Sequence, residues 1–166
     1  MHSICSEEGE CFEMKTIKVK LSPKSIEKAI TELQMYKEEV ERRVKTLLEI
    51  LTERGAEIAR AKIIDFDAVD KGNLLGSVES FVLGNVGYIR VNAEYGMFVE
   101  FGTGIVGEGS PHPLSGDYNW QYDINNHGEA GWHFPADDGS WPITKGQKSR
   151  PFMYETEQQL REEMSY

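Results

Sequence analysis

Three histidines, His112, His127 and His133, share one stretch of the chain with three carboxylates, Asp117, Asp123 and Asp137. Three imidazoles or carboxylates around an open fourth position make a catalytic zinc site, so these residue types raise metal-assisted hydrolysis first. Their spacing argues against it. Catalytic zinc ligands usually include a close pair fixed on one helix or strand, as in H-E-x-x-H, whereas each histidine here stands alone among turn formers. The expectation is therefore histidines in a polar loop, with no metal and no cofactor. A metal-dependent hydrolase built on them is the alternative.

The glycines of "EFGTGIVGEG" pose a second question, because backbone amides at a helix start can cradle phosphate. The stretch lacks the Lys-Ser/Thr ending of a P-loop and the strand–turn–helix setting of a dinucleotide fingerprint, so these glycines are expected to form turns. No G-x-S-x-G elbow places Ser77, Ser110 or Ser115 beside a base. Cys5 and Cys11, even with His2, are a poor metal set and are expected as free thiols in a flexible segment. These motifs assemble no catalytic constellation, and the expectation is a protein that is not an enzyme.

The chain has 166 residues, and 18 Lys plus Arg against 28 Asp plus Glu give a formal charge of -10. That balance argues against a nucleic-acid or anionic-membrane surface as the main binding face. No stretch reaches the roughly 18 uninterrupted apolar residues of a membrane span, and "MHSICSEEGECFEM" has neither a basic start nor an apolar signal core. A protein made and kept in the cytosol is expected, with a flexible acidic tail over residues 1–14 and a single domain over 15–166.

Positioning elements follow from periodicity. From Lys15, Ile17, Val19 and Leu21 alternate with Thr16, Lys18 and Lys20, which predicts a first strand. Ser22-Pro23 supplies an N-cap and a first-turn proline. Ile26, Ile30, Leu33, Val40, Val44, Leu47, Leu51 and Ile58 then mark a long amphipathic helix ending near Ile63. Ile26, Leu33, Val40 and Leu47 share one seven-residue register and Ile30, Val44, Leu51 and Ile58 another, with Lys37 and Arg54 as interruptions. A helix laid on a sheet is the expectation, a coiled-coil partner the alternative, and Gly55 is a candidate bend or break.

"DKGNLLGSVESFVLGNVGYIRVNA" predicts a turn and a β-hairpin reversing at Gly84-Asn85. Tyr95 to Phe101 fits a helix face and a strand equally well, and Gly102 and Gly104 must end that element. Between Thr103 and Ser149 lies an insert, about 104–149, rich in Gly, Asp, Asn and Pro. Within it Trp132 and Phe134 precede an Asp138-Gly139 turn, with Trp141 and Ile143 after it, as in a second hairpin. Trp120, Trp132 and Trp141 carry more aromatic surface than a solvated loop leaves exposed, so the insert either folds back on its own core or docks on a neighbouring subunit. Pro151 and Phe152 open a short terminal helix.

In this order, "KGNLLGSV", "YGMFVEFGTG" and "TKGQKSRPFM" resemble a family of small neck proteins of tailed phages and prophages, known from lambdoid phages as tail-component, tail-completion or head–tail joining proteins. The resemblance covers the chain from about Lys15 to the C-terminus. It rests on Gly72 and Leu74, on Tyr95, Phe98, Val99, Glu100, Phe101, Gly102 and Thr103, and on Pro151 and Phe152. It implies an α+β fold: a small, mainly antiparallel sheet packed by one long N-terminal helix and a short C-terminal helix, with a long hairpin-containing insert. It also implies a structural virion protein without catalysis. Such a protein forms a homo-oligomeric ring in the virion neck, between the connector or head-closure proteins and the tail-tube or tail-terminator proteins, with DNA passing through without specific binding. Before assembly it would lie in the bacterial host cytoplasm. Glu100 is expected to bond backbone amides of the glycine-rich turn, since an isolated buried carboxylate is too costly. A monomeric module whose aromatic insert captures a peptide is the further alternative.

Overall fold

The computed structural model describes residues 4–5, 11–12, 16–68, 72–124, 127–136 and 138–165. The protein is α+β. Its elements run β1 (Ile4–Cys5), β2 (Cys11–Phe12), α1 (Pro23–Asp65), α2 (Asn73–Gly76), β3 (Val78–Leu83), β4 (Val86–Val91), α3 (Gly96–Phe101), α4 (Gly104–Gly109), a 3-10 turn at Gly128–Ala130, β5 (Trp132–His133), β6 (Ile143–Thr144) and α5 (Phe152–Glu163). Among the described residues the strands form three two-stranded antiparallel ladders. Among the described residues no helix is long and apolar enough to cross a membrane. The chain divides into two compact units, Met1–Lys45 and Thr46–Tyr166.

In the first unit β1 pairs with β2, Ile4 opposite Phe12 and Cys5 opposite Cys11. The rest of the tail expected over 1–14, and the cysteine thiols, lie outside the described residues. Thr16 to Leu21 form no strand, contrary to the alternation of their side chains. A strand is made by its ladder partner, and no backbone pairs with this segment among the described residues; Val19 and Leu21 stay exposed. The helix begins as its signals require: the Ser25 amide donates to Ser22 Oγ at 3.4 Å and the Ile26 amide to Ser22 O at 3.0 Å. Its surface carries Lys28–Glu32 and Lys37–Glu41 pairs and a Glu39 carboxylate shared by Arg42 and Arg43. The hydrogen bonds from those two guanidinium groups hold Glu39 at about 2.

In the second unit the remainder of α1 turns Ala56, Ala59 and Ile63 into a core completed by Leu74, Val78, Val99 and Phe152. The helix lies on the β3–β4 hairpin there, as expected, and is unbroken at Gly55. That glycine answers a packing need: a Cβ at Gly55 would stand 2.2 Å from Ile89 Cδ1 and 3.3 Å from Leu160 Cδ2. The hairpin reverses at Gly84-Asn85 as expected, with Leu83 opposite Val86. Phe81 stacks on Tyr88 at 5.1 Å, and Arg90 lies over Phe81 while bonding Glu79 at 2.9 Å, which lowers the Glu79 pKa.

The helix–strand ambiguity at Tyr95 to Phe101 resolves to helix over Gly96–Phe101, where Val99, Glu100 and Phe101 are buried in succession, which the alternation of a half-buried strand does not give. Gly102 ends α3 as expected. Gly104 does not end the element; it starts α4, so the glycines of "GIVGEG" are helical and not simple turns. The second hairpin is present, with Trp132 opposite Thr144 and His133 opposite Ile143. α5 runs from Phe152 to Glu163, fastened to α1 by Arg54 bonding Glu163 twice at 2.9 Å.

Candidate functional site

Both halves of the quoted motif meet at Glu100. The carboxylate is 7% exposed and accepts three hydrogen bonds: from the Met153 amide at 2.9 Å, the Tyr154 amide at 3.0 Å and His112 Nε2 at 3.0 Å. Met153 and Tyr154 belong to the first turn of α5, where the leading amides have no partner within the helix. The residue at its N-cap is Pro151, whose ring offers no acceptor. Glu100 supplies that cap from more than fifty positions away, and its negative charge sits at the favourable end of the helix dipole. Backbone amides do satisfy Glu100, but they are those of the terminal helix and not those of the glycine-rich turn. The physical reason is that α3 directs its side chain away from the α4 amides and toward α5.

His112 corrects a second expectation. It does not lie in a polar loop; it is 3% exposed, against Phe101 at 4.2 Å and edge-on to Tyr154 at 5.6 Å. Its tautomer follows from its neighbours: the Leu114 amide donates to Nδ1 at 3.0 Å, so Nδ1 carries a lone pair and Nε2 carries the proton that reaches Glu100. Both ring nitrogens are thus engaged. Neither can exchange a proton with another molecule without giving up one of these bonds.

The rear of α3 is held equally closely. Its last carbonyls accept from distant donors: Phe98 O from Gln147 Nε2 at 3.0 Å, Val99 O from the Arg150 amide at 3.0 Å, and Glu100 O from Ser149 Oγ at 2.6 Å. Thr103 and Gln147 exchange backbone hydrogen bonds at 2.9 and 3.1 Å, and the Gln147 amide also reaches Thr103 Oγ1. Gly102 sits between these strands of chain at φ +79°, where a Cβ would stand 2.7 Å from the Ser149 amide nitrogen and 2.8 Å from Gln147 O. Only glycine satisfies both the left-handed backbone and the contact.

The other motif residues divide by burial. Leu74, Val99, Phe101 and Phe152 are buried, and Gly72 holds the left-handed position before α2. Tyr95 and Phe98 remain exposed, Phe98 meeting Trp120 edge-on at 5.9 Å. Of the three tryptophans offered as subunit contacts, Trp120 is spent within the chain: it stacks on Phe101 at 4.8 Å, and its Nε1 donates to Gly102 O at 3.0 Å. Trp132 is half-buried beside His127, and Trp141 is 63% exposed.

The remaining histidines are not gathered with His112. His127 Nδ1 meets Asp123 at 2.6 Å, and His133 Nδ1 meets Trp141 O at 2.7 Å, both at the surface. Among the described residues no group of three or more His, Cys, Asp or Glu is placed to hold a metal ion; Asp137 lies outside them. An apolar cleft of about 420 Å³ opens above the Glu100–His112 pair, walled by Ile89, Val91, Met97, Leu114, Tyr118 and Met153. No family model, no curated protein and no solved structure matches the chain.

Proposed function

We propose that the chain is a structural subunit of a tailed-phage or prophage neck, a tail-completion or head–tail joining protein that self-associates into a ring between head connector and tail. One observation carries the reading. The separated halves of the motif on which the resemblance rests, Tyr95 to Thr103 and Pro151-Phe152, form a single bonded unit through Glu100 and the α5 amides. A constellation whose donors and acceptors satisfy one another suits a scaffold that must hold its shape under load. The formal charge of -10 suits a ring through which DNA passes without adhering. Trp141 and Phe98 are among the exposed aromatics that would serve as anchors for neighbouring subunits.

The test is immunogold labelling of virions produced by a host carrying the gene, with electron microscopy of the particles. Label at the head–tail junction, together with unjoined heads and tails when the gene is deleted, is the expected outcome. Label elsewhere, or normal particles after deletion, overturns the reading.

A further inference from the structure

The apolar spacing of α1 is not used up by the fold. Ile26, Ile30, Leu33, Lys37, Val40 and Val44 follow one another at alternating steps of four and three, and the same spacing continues through Leu47 and Leu51. That is the a/d seam of a coiled coil, apolar at every position but Lys37. Ile26, Ile30, Leu33, Val44 and Leu47 are 44% to 56% exposed. Past Arg54 the spacing reaches Ile58, which is buried, as are Ala56, Ala59 and Ile63; in the earlier half of α1, Ala29 beside the seam is buried while the seam residues themselves are not. Knobs-into-holes packing needs a helix of like spacing along the whole seam, about 37 Å. The other described helices have 4, 6, 6 and 12 residues, and the longest of them buries Phe152 and Thr156 in its own core.

We infer that the seam is covered by the α1 seam of a second copy of this chain, the two helices running antiparallel. Charge decides the direction. A parallel, in-register pair would set the two Lys37 ammonium groups in one buried layer. The antiparallel pair sets Lys37 opposite Val40, Leu33 opposite Val44, Ile30 opposite Leu47 and Ile26 opposite Leu51, so every layer holds at least one apolar side chain and each lysine stem lies on apolar surface. In that register Tyr36 flanks Arg43 of the second copy and Gln34 flanks Glu41. Seven apolar side chains, Val40 and Leu51 partly buried and the other five exposed, contribute at most about 80 Å² each, about 1,100 Å² over both copies, just above the roughly 1,000 Å² that a specific interface must clear. This pairing concerns the free chain and goes beyond the neck reading, which would stand without it.

Sedimentation equilibrium on the full chain tests the pairing, with Leu33→Glu and Lys37→Leu as variants. Both positions are exposed, so the helix signal in circular dichroism should persist in each. A concentration-dependent dimer is expected, its dissociation constant raised about 100-fold by Leu33→Glu and lowered about tenfold by Lys37→Leu. In a chain with Cys5 and Cys11 replaced by serine, Leu33→Cys together with Val44→Cys should oxidise to a covalent dimer, and Leu33→Cys alone should not. A monomer at every concentration, a dimer indifferent to Leu33→Glu or weakened by Lys37→Leu, or cross-linking by Leu33→Cys alone overturns the inference.

Discussion

Replacing Glu100 by alanine removes the acceptor of three buried donors at once: the Met153 and Tyr154 amides and His112 Nε2. A buried donor left without a partner costs about 1–3 kcal/mol. Three of them, partly relieved by water entering from the adjoining cleft, cost about 4 kcal/mol. Against a total stability of about 5–15 kcal/mol this is a large fraction. With a urea dependence of about 2 kcal/mol per molar, the unfolding midpoint should fall by about 2 M. Glu100→Gln is the informative companion. It keeps one carbonyl oxygen for His112 and Tyr154 but turns an NH2 donor toward the Met153 amide, so about half the loss is expected. Tryptophan fluorescence in urea reads both, since Trp120 packs on the neighbouring Phe101. A Glu100→Ala midpoint within about 0.5 M of the parent would refute the claim that this carboxylate caps α5.

His112→Ala strands the Leu114 amide and removes one donor from Glu100; a loss of about 2–3 kcal/mol should lower the melting temperature by about 6–10 °C in calorimetry. Gly102 and Gly139 share φ +79°, but a Cβ at Gly139 meets nothing within 4 Å. Gly139→Ala should therefore cost only the left-handed penalty of about 1 kcal/mol, while Gly102→Ala should abolish soluble expression or cost about 3 kcal/mol or more by denaturant titration. The hydrogen bonds from Arg54 and Gln159 hold Glu163 at about 2, below its ordinary 4.5. A depressed folded pKa gives stability that is complete above the ordinary value and fades as pH falls toward the folded one. Melting temperature measured from pH 5 to pH 2 should consequently drop less in Glu163→Gln than in the parent, with the difference shrinking in high salt because the pair is exposed.

Elements set by neighbouring residues were legible in the sequence. Ser22-Pro23 starts α1, Gly84-Asn85 turns the hairpin and Asp138-Gly139 turns the shorter one, because caps and turns draw on bonds within a few residues; Pro151 marks the start of α5 through its fixed φ alone, since the cap of that helix comes from Glu100. The alternation from Lys15 to Leu21 misled for a complementary reason: period-two spacing states which faces a strand would have but supplies no partner for its backbone. Tyr95 to Phe101 was balanced between two periods, and the burial of three consecutive residues, Val99, Glu100 and Phe101, breaks the alternation of a half-buried strand and goes with the helix.

For the site, the sequence by itself determined that Glu100 needs buried donors, given the apolar residues around it and the desolvation of a lone carboxylate. It also carried Gly102 and the Pro151-Phe152 pair as fixed points. Which donors serve Glu100 was decided only by the tertiary structure. The first-turn amides of α5 look ordinary in sequence, and His112 has no local signal beyond standing between Pro111 and Pro113. Hydrogen bonds between residues so far apart depend on how the core closes, and chain spacing does not encode that distance. Burial of Phe152 beside Val99 brings α5 onto α3, and with it a helix that lacks its own cap meets a carboxylate that lacks its own donors.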